Sequence, residues 1–400
     1  MHAKLKSAGL FASVLAATFL CPEFNKNSFA APGYTVVILN QPDGASGAYA
    51  NGISPSGNQV VGYSQVNERP IFHAMLWNAN GAIVGDLNPS GFTNSYIQYT
   101  NGDQQAGWGY AVNGPDHALL WSGTAASAVD LNPKGFNHSE ADAISDGHEV
   151  GLGYGPATGG ATKSIEHIGG STGIRINVFF HALLWSGTAA SAVDLNPPGF
   201  SSSGAYGMFG NQQVGAGSKI DFGINADNEI NKHALLWSGT SDSFIDLNPK
   251  GFNESVALDI SGNQEVGKGR GETTGIYYYH ALLWTGTAAS VVDLHPVGFF
   301  ASYATATNGR QQVGTGSVRS SDEEYAPLLD RALLWSGTAK SCVDLQIFLP
   351  SYYNESDAYG IDANGDVIGT ASNSKTHQSD AVEWIPVRTT TPPANANGKN

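Results

Sequence analysis

A short apolar run that ends in tryptophan recurs along the chain. In its clearest form it reads HALLW, from His117 to Trp121. In an extended strand the histidine, the first leucine and the tryptophan would share one face, and the alanine and second leucine would share the other. Because both faces carry apolar side chains, the run predicts a strand that is packed on both sides.

The run belongs to a longer repeat. Residues 117–136 recur at 181–200, where Pro198 replaces Lys134 as the one change. Spacings between successive runs are 44 to 64 residues, a period typical of repeat architectures whose units bury their faces against each other. The seven runs begin at His73, His117, His181, His233, His280, Arg331 and Asp380.

The pattern predicts four short strands in each unit. The first resembles residues 139–144, and a tight turn such as Ser261-Gly262-Asn263 follows it. The second resembles residues 264–268, and the tryptophan run is the third. The fourth ends in Asp-Leu-Asn, as in residues 130–132.

The two ends of the chain complement each other. The seventh unit reaches Trp384 and continues as IPVRTTTPP, without an Asp-Leu-Asn strand. The segment YTVVILNQP near the N-terminus contains Leu39-Asn40, which matches the end of a fourth strand. We therefore predict an all-β fold for residues 31–387, a seven-bladed β-propeller of four-stranded blades whose ring is closed by the N-terminal strand.

The motifs HALLW, DLNP and GNQEVG resemble those of the HAF repeat family of bacterial extracellular proteins, over about residues 34–387. The resemblance implies secretion and a repeat fold, and it implies no established activity. Arg331 and Asp380 depart from the pattern because histidine usually stands at their position.

Composition agrees with many short strands, since 50 residues are glycine and 13% are charged. Residues 1–30 combine Lys4 and Lys6 with an apolar run and Ser28-Phe29-Ala30, which predicts a secretory signal peptide. We therefore expect a periplasmic or secreted bacterial protein without membrane insertion after cleavage. Residues 388–400 are predicted to be disordered.

The net charge is −15, and about −17 without residues 1–30, which contain three lysines and one glutamate. This charge argues against nucleic acid or an anionic membrane as a partner. Cys342 is the one cysteine outside residues 1–30, so no intramolecular disulfide is expected in the mature chain.

The repeated polar residues predict structural roles. Strands lie about 4.8 Å apart, so equivalent histidines on neighbouring blades would be more than about 10 Å apart, too far to share a metal. One aspartate per blade is likewise too regular for a single active site. No cofactor is expected, except that calcium is weakly suggested by residues 362–366 and by a long loop with Asp221, Asp227 and Glu229.

Function is expected where the repeats differ. The connections between second and third strands vary widely and emerge on the same face as the crossovers between blades, beside the start of each first strand. Candidate ligand-binding residues on that face are Tyr49, Tyr96, Glu140, Tyr303 and Asp357. Their side chains suit stacking and hydrogen bonding to a sugar or small polar ligand, although packing between blades would also explain them.

Three functions stay open. The preferred hypothesis is a secreted binding module for a glycan or a cell-surface protein. The second is a hydrolase or lyase on the same face, perhaps metal-assisted, with Glu140 and Asp357 as its carboxylates. The third is a passive scaffold in a surface assembly. The sequence lacks a nucleophile elbow, a phosphate-binding loop and a His-Glu-x-x-His motif, which favours a non-enzyme without excluding catalysis.

Overall fold

The computed structural model describes residues 33–66, 71–168, 171–219, 232–275, 278–321 and 326–387, with side chains described outside 161–177. Within these residues the extended elements are β-strands, and the helices are 3-10 turns of three or four residues. These turns are Ala125–Ser127, Pro156–Thr158, Ala189–Ser191, Ser241–Ser243, Ala288–Ser290, Ala339–Ser341 and Leu345–Phe348. No helix among the described residues is long and apolar enough to cross a membrane.

The first strand of the chain, β1 (Tyr34–Ile38), belongs to the last blade. Blade one contains β2 (Gly47–Ile53), β3 (Gln59–Gln65), β4 (Phe72–Asn78) and β5 (Ile83–Asp86). Blade two contains β6 (Phe92–Thr100), β7 (Gln105–Ala111), β8 (Asp116–Trp121) and β9 (Val129–Asp130). Blade three contains β10 (His138–Ser145), β11 (His148–Tyr154), β14 (His181–Trp185) and β15 (Val193–Asp194), with a separate hairpin of β12 (Ala161–Ile168) and β13 (Ser171–Val178) between its second and third strands.

The remaining blades repeat the same order. Blade four contains β16 (Ser202–Phe209), β17 (Gln212–Ser218), β18 (Lys232–Trp237) and β19 (Ile245–Asp246). Blade five contains β20 (Phe252–Ser261), β21 (Gln264–Gly271), β22 (His280–Trp284) and β23 (Val292–Asp293). Blade six contains β24 (Ala301–Thr307), β25 (Gln312–Arg319), β26 (Leu328–Trp335) and β27 (Val343–Asp344). Blade seven contains β28 (Tyr353–Ile361), β29 (Val367–Asn373), β30 (Gln378–Pro386) and β1.

The blades form a ring around a central hub. The first strand of each blade contacts the first strand of the next blade, and β28 of blade seven contacts β2 of blade one. Neighbouring strands within each blade are antiparallel, so first strands begin at the end of the hub where third strands also begin. The predicted seven-bladed β-propeller is therefore confirmed.

The N-terminal strand closes the ring as predicted. β1 pairs with β30 in antiparallel register, with Val36 opposite Trp384. The Leu39 N–H donates to the Ala381 carbonyl at 2.9 Å, as the Leu87 N–H does to the Ala74 carbonyl at 2.8 Å in blade one. Both leucines are buried. The strand thus supplies the contacts that a fourth strand supplies elsewhere.

The repeated tryptophans form the core between blades, as predicted. All seven are fully buried, and Trp121 of blade two packs against Val61, Leu76 and Leu87 of blade one. Its indole N–H also donates to the Leu87 carbonyl at 2.9 Å. Each tryptophan fills the wedge between its own blade and the preceding one, which explains why the same sequence recurs.

A hydrogen-bonded network links blade two to blade three. His117 Nδ1 lies 2.7 Å from Asp130 Oδ2, and Asp130 Oδ1 accepts from the Asn132 N–H at 2.8 Å. Asn132 Oδ1 accepts from Ser139 Oγ at 2.8 Å, and that hydroxyl oxygen accepts the buried Ala118 N–H at 3.0 Å. The structural interpretation of the histidine and aspartate columns is confirmed by these bonds.

The two departures from the histidine column have local causes. Arg331 keeps an ion pair with Asp344, at 2.6 Å. In blade seven the fourth strand comes from the N-terminus and brings no aspartate to this place. Asp380 there accepts hydrogen bonds from Tyr353 Oη at 2.6 Å and from Gln41 Nε2 at 2.5 Å. In the other blades the third strand carries the base and the fourth strand carries the acid. Where the ring closes, the third strand carries the acid, Asp380, and its hydrogen-bond donors come from other segments.

We expect Leu39→Ala to lower the free energy of unfolding by about 2–5 kcal/mol, because it leaves a cavity in the closing strand. Leu87→Ala, at the equivalent position of blade one, should cost a similar amount in chemical denaturation. Thr35→Ala, at an exposed position of β1, is the control. A Leu39→Ala variant as stable as the parent protein would contradict closure by this strand.

Candidate functional site

Every first strand carries a β-bulge at the same place. In β10 the register shifts between Ala141 and Ala143, which leaves Asp142 without a partner on β11. A bulge re-aims the unpaired side chain, and contacts between innermost strands place these residues along the hub. For example, Asn51 Nδ2 donates to the Ile97 carbonyl and to Gln98 Oε1, both at 3.0 Å. The seven bulge residues are Asn51, Gln98, Asp142, Tyr206, Leu258, Thr305 and Tyr359.

Two residues before each bulge lies the position singled out from the sequence. We call this ring of positions, with its strand-two partners, the hub mouth. The first-strand residues are Tyr49, Tyr96, Glu140, Gly204, Val256, Tyr303 and Asp357. Their strand-two partners are Tyr63, Trp108, Leu152, Ala216, Lys268, Thr315 and Thr370. The five predicted ligand-binding residues are all half-buried at the hub mouth, and ligand binding by them stays a prediction.

Blades one and two present a continuous row of aromatic rings at the hub mouth. Tyr49 stacks on Tyr63 with centroids 4.7 Å apart, and Tyr63 meets Tyr96 edge-on at 5.0 Å. Tyr96 stacks on Trp108 at 4.2 Å, and Tyr110 meets Trp108 edge-on at 5.3 Å. We call these five rings the aromatic row. They pack against one another and stay partly exposed, so packing and ligand contact are compatible here.

Tyr303 lies apart from the aromatic row, between blades five and six. The Lys268 ammonium lies 5.2 Å from the Tyr303 ring centroid and 4.7 Å from that of Tyr279. Arg270 lies 4.8 Å from the same Tyr279 ring and pairs with Glu254. This part of the hub mouth already contains a cation on its aromatic rings, a feature that the tyrosine alone did not indicate.

Carboxyl groups gather between blades two and three. We call Asp116, Glu140 and Asp142 the acidic corner. Burial, followed by the charge of Asp116 and a hydrogen bond with it, raises the pKa of Glu140 to about 7. Burial and the charge of Glu140 raise the pKa of Asp142 well above its usual range. His138 Nδ1 contacts Asp116 Oδ1, and the imidazole stacks on Tyr154 at 4.2 Å.

A second carboxyl pair lies between blades six and seven. Burial raises the pKa of Asp357 to about 6, although a 2.8 Å hydrogen bond from Thr315 Oγ1 opposes the shift, and the charges of Asp330 and Glu355 add to it. Ser317 Oγ donates to Asp330 Oδ1 at 2.6 Å. Each acid found from the sequence thus faces a carboxylate on the preceding blade.

Sequence reasoning missed those two partners, Asp116 and Asp330. Each directly precedes the tryptophan run of its blade, at a position that varies among the seven units. Their contact with the first strand of the next blade follows from the packing of one blade on another. The variation at this position was the signal by which both aspartates could have been singled out. The repeat did not show that each of them would face a carboxyl group on the next blade.

Tyr99 lies in the first strand of blade two, at the end that is farther from the hub mouth. This residue follows the bulge of blade two and packs against the cores next to blade three. Burial, together with the charge of Asp259 in blade five, raises the pKa of Tyr99.

The described residues contain no group of three or more His, Cys, Asp or Glu side chains that could hold a metal. The calcium-like segment 362–366 is a tight turn, in which Asp362 Oδ1 accepts the N–H groups of Asn364 and Asp366, each at 2.8 Å. The other weak calcium candidates, Asp221, Asp227 and Glu229, lie outside the described residues, as do segments 1–30 and 388–400.

No family model and no curated protein matches the chain. Among solved structures it is similar to a puromycin hydrolase S511A mutant complexed with PGG, at 12% identity and TM-score 0.48, covering 89% of this chain and 55% of that one. It is also similar to the β-propeller domain of the Trilobed protease from Pyrococcus furiosus (11%, 0.49, covering 87% and 100%) and to a putative TolB from Agrobacterium tumefaciens (11%, 0.38, covering 89% and 100%). The chain spans about half the length of the puromycin hydrolase. At these values the likeness assigns no activity, ligand or partner.

We expect the protein to be several degrees more heat-stable at pH 5.5 than at pH 8. Burial raises the pKa of Glu140, Asp259 and Glu383 to about 7, so the folded chain binds more protons than the unfolded chain between about pH 4 and 7. Stability therefore falls as pH rises through this range. Differential scanning calorimetry measures the effect.

Asp259→Asn provides the matched comparison, since an asparagine Oδ1 still accepts the Thr307 N–H that Asp259 Oδ2 binds at 2.8 Å. The variant should match the parent protein at pH 5.5 and melt higher than it at pH 8. A variant that melts lower at pH 8 would show that the carboxylate stabilises the fold, against this account.

Proposed function

We propose that this protein is an extracytoplasmic binding module that recognises a glycan or another cell-surface partner through the hub mouth. Export rests on the signal-like sequence of residues 1–30, and we also propose membership of the HAF-type repeat family. The propeller supplies a rigid ring, and the residues that differ among its blades supply recognition.

One observation carries this proposal: repetition ends at the hub mouth. The tryptophan core and the aspartate column recur in six or more blades, because they solve the same packing problem each time. At the hub mouth the equivalent residues are instead tyrosine, glutamate, glycine, valine and aspartate. Variation at a half-buried position on an otherwise repeated scaffold favours a single asymmetric ligand site.

The chemistry of the site suits a carbohydrate. Burial raises the pKa of both Tyr63 and Tyr96 to about 12, so their hydroxyl groups stay neutral donors and acceptors at physiological pH. Aromatic rings stack on the apolar faces of sugars, and carboxylates accept bonds from sugar hydroxyls. Tyr110, at the end of the aromatic row, lies opposite Asp116 of the acidic corner, so we propose that one ligand contacts both.

Hydrolysis at the same place is the second candidate function. Glu140, with its pKa raised to about 7, lies beside Asp116, and two carboxyls held at different pKa values can serve as acid and base.

For binding, we expect Tyr110→Ala to weaken affinity at least tenfold. Tyr110 is 40% exposed at the end of the aromatic row, so its removal takes away ligand contact with little loss of packing. Tyr49, Tyr96 and Tyr303 are poorer choices, because each is less exposed than Tyr110 and its removal would cost more packing. A glycan array, run with calcium and then with a chelator, selects the ligand, and calorimetry measures affinity.

The matched control is Phe209→Ala, which removes a ring of similar size, 49% exposed, at the far end of β16 from the hub mouth. Binding that depends on Phe209 and not on Tyr110 would place recognition at the end of the ring opposite the hub mouth, and it would contradict the proposal. An array without any bound glycan would move the proposal to protein partners.

A selected glycan also tests hydrolysis. If the acidic corner is catalytic, incubation should yield shortened products by mass spectrometry, and Glu140→Gln should reduce their rate at least a hundredfold. Intact glycan after prolonged incubation with the parent protein would exclude this second function for that ligand.

A further inference from the structure

We propose that a second site binds an oxyanion, the phosphate or carboxylate group of a small ligand, in a cleft between blades six and seven. The cleft has a volume of about 440 Å³ and is lined by Asn308, Arg310, Gln311, Ser336, Ala363 and Asn364. This volume is in the range of small-molecule sites. The inference goes beyond the proposed function, because the cleft lies at the end of the ring opposite the hub mouth and takes a different ligand.

Hydrogen bonds hold the two walls of the cleft together. Asn308 follows β24 and Asp362 follows β28, so both turns lie where the first strands end. Asn308 Nδ2 donates to the Asp362 carbonyl at 2.8 Å. Asn308 Oδ1 accepts the N–H groups of Arg310 and Gln311, at 3.1 and 2.8 Å. These bonds fix the walls and use none of the five N–H donors of the Arg310 guanidinium.

The same turn in blade two shows that its geometry does not require an arginine. There Asn101 Oδ1 accepts the N–H groups of Asp103 and Gln104, at 3.0 and 2.8 Å. In both turns the preceding threonine hydroxyl accepts the glycine N–H at 3.1 Å. The turn forms in the same way around an acid in blade two and around Arg310 in blade six. Local structure therefore does not explain the arginine.

Arg310 brings a positive charge to the cleft that the described residues do not neutralise. The residue is exposed, and its guanidinium forms no ion pair or hydrogen bond with another described side chain. The lining contains no carboxyl group. The nearby Asp362 carboxylate is fully buried, and its Oδ2 lies beside Gly57 of blade one. An oxyanion that pairs with Arg310 therefore faces no acid across the cleft.

Blade six also contributes the other cation at this end of the ring. Among the described turns there, lysine and arginine occur as Arg310 and Lys340 alone. Lys340 lies in the same loop as Ser336, at a position that is Ala126 in blade two and Asp242 in blade four. The chain has a net charge of −15, which repels anions over most of its surface. Two cations on adjoining turns favour an anion at this blade.

The side chains of the cleft fit an oxyanion in geometry as well as in charge. A guanidinium donates two parallel N–H bonds to one carboxylate or phosphate group, whereas an ammonium acts as a point charge. The hydroxyl of Ser336 and the amide of Gln311 line the same cleft, and both groups can donate to further ligand oxygens. Phosphate and carboxylate offer the same acceptor pair, so both are used as probes.

Calorimetry with inorganic phosphate and with citrate tests the inference, with sodium chloride added to keep the ionic strength constant. We expect at least one probe to bind at a single site, and Arg310→Gln to weaken its binding at least tenfold. Arg310→Lys should weaken it at least threefold, because the charge stays and the paired N–H donors are lost. Lys134→Gln is the matched control, since it removes an exposed charge from the crossover between blades two and three, and it should change affinity less than twofold.

Each outcome decides the inference. Binding of phosphate alone, lost in Arg310→Gln, would support the site and assign it to phosphate groups, and binding of citrate alone would assign it to carboxylates. Binding that Arg310→Gln leaves unchanged, or that Lys134→Gln weakens equally, would overturn the inference. A lack of binding by both probes would overturn it as well. Arg310→Gln should leave the melting temperature and any glycan binding at the hub mouth unchanged, so this test is independent of the proposed function.

Discussion

Closure of the ring is the constraint on which the rest of the structure depends. Seven blades bury both faces only when the last packs on the first, and β1 supplies the outer strand that makes blade seven equivalent to its neighbours. Closure fixes the first strands around the hub, which aligns their bulges and brings the mouth residues together. At the junction the closing strand has Ile38 at the position that is aspartate in the other blades, and Asp380 accepts a hydrogen bond from Gln41, which follows that strand.

The repeated and the variable residues of the blades have different roles. Buried tryptophans and the bonds between neighbouring blades hold the ring, so the hub mouth can contain groups that stabilise nothing by themselves. Burial shifts the pKa of Glu140 upwards, and Asp142 Oδ2 is shielded without a partner among the described residues. Such groups lower stability at neutral pH unless something binds them. Their concentration at one end of a well-packed scaffold is typical of a functional site.

The fold could be predicted well because the repeat period, the recurring tryptophan and the missing fourth strand of the seventh unit are all visible in the sequence. The strand pattern also placed Tyr49 and Glu140 near the start of their first strands, where the structure has them. It could not reveal that Glu140 faces Asp116, or that Lys268 covers Tyr303, because these contacts join different blades. The bulges were equally hidden, since a one-residue register shift changes pairing without changing composition.

A crystal structure of the complex with a glycan selected on the array would test the central claim most directly. The account predicts a sugar at the hub mouth, with its ring against Trp108 or Tyr110 of the aromatic row. A ligand seated at the opposite end of the hub, near Phe209, or along the outer strands of the blades, would contradict it.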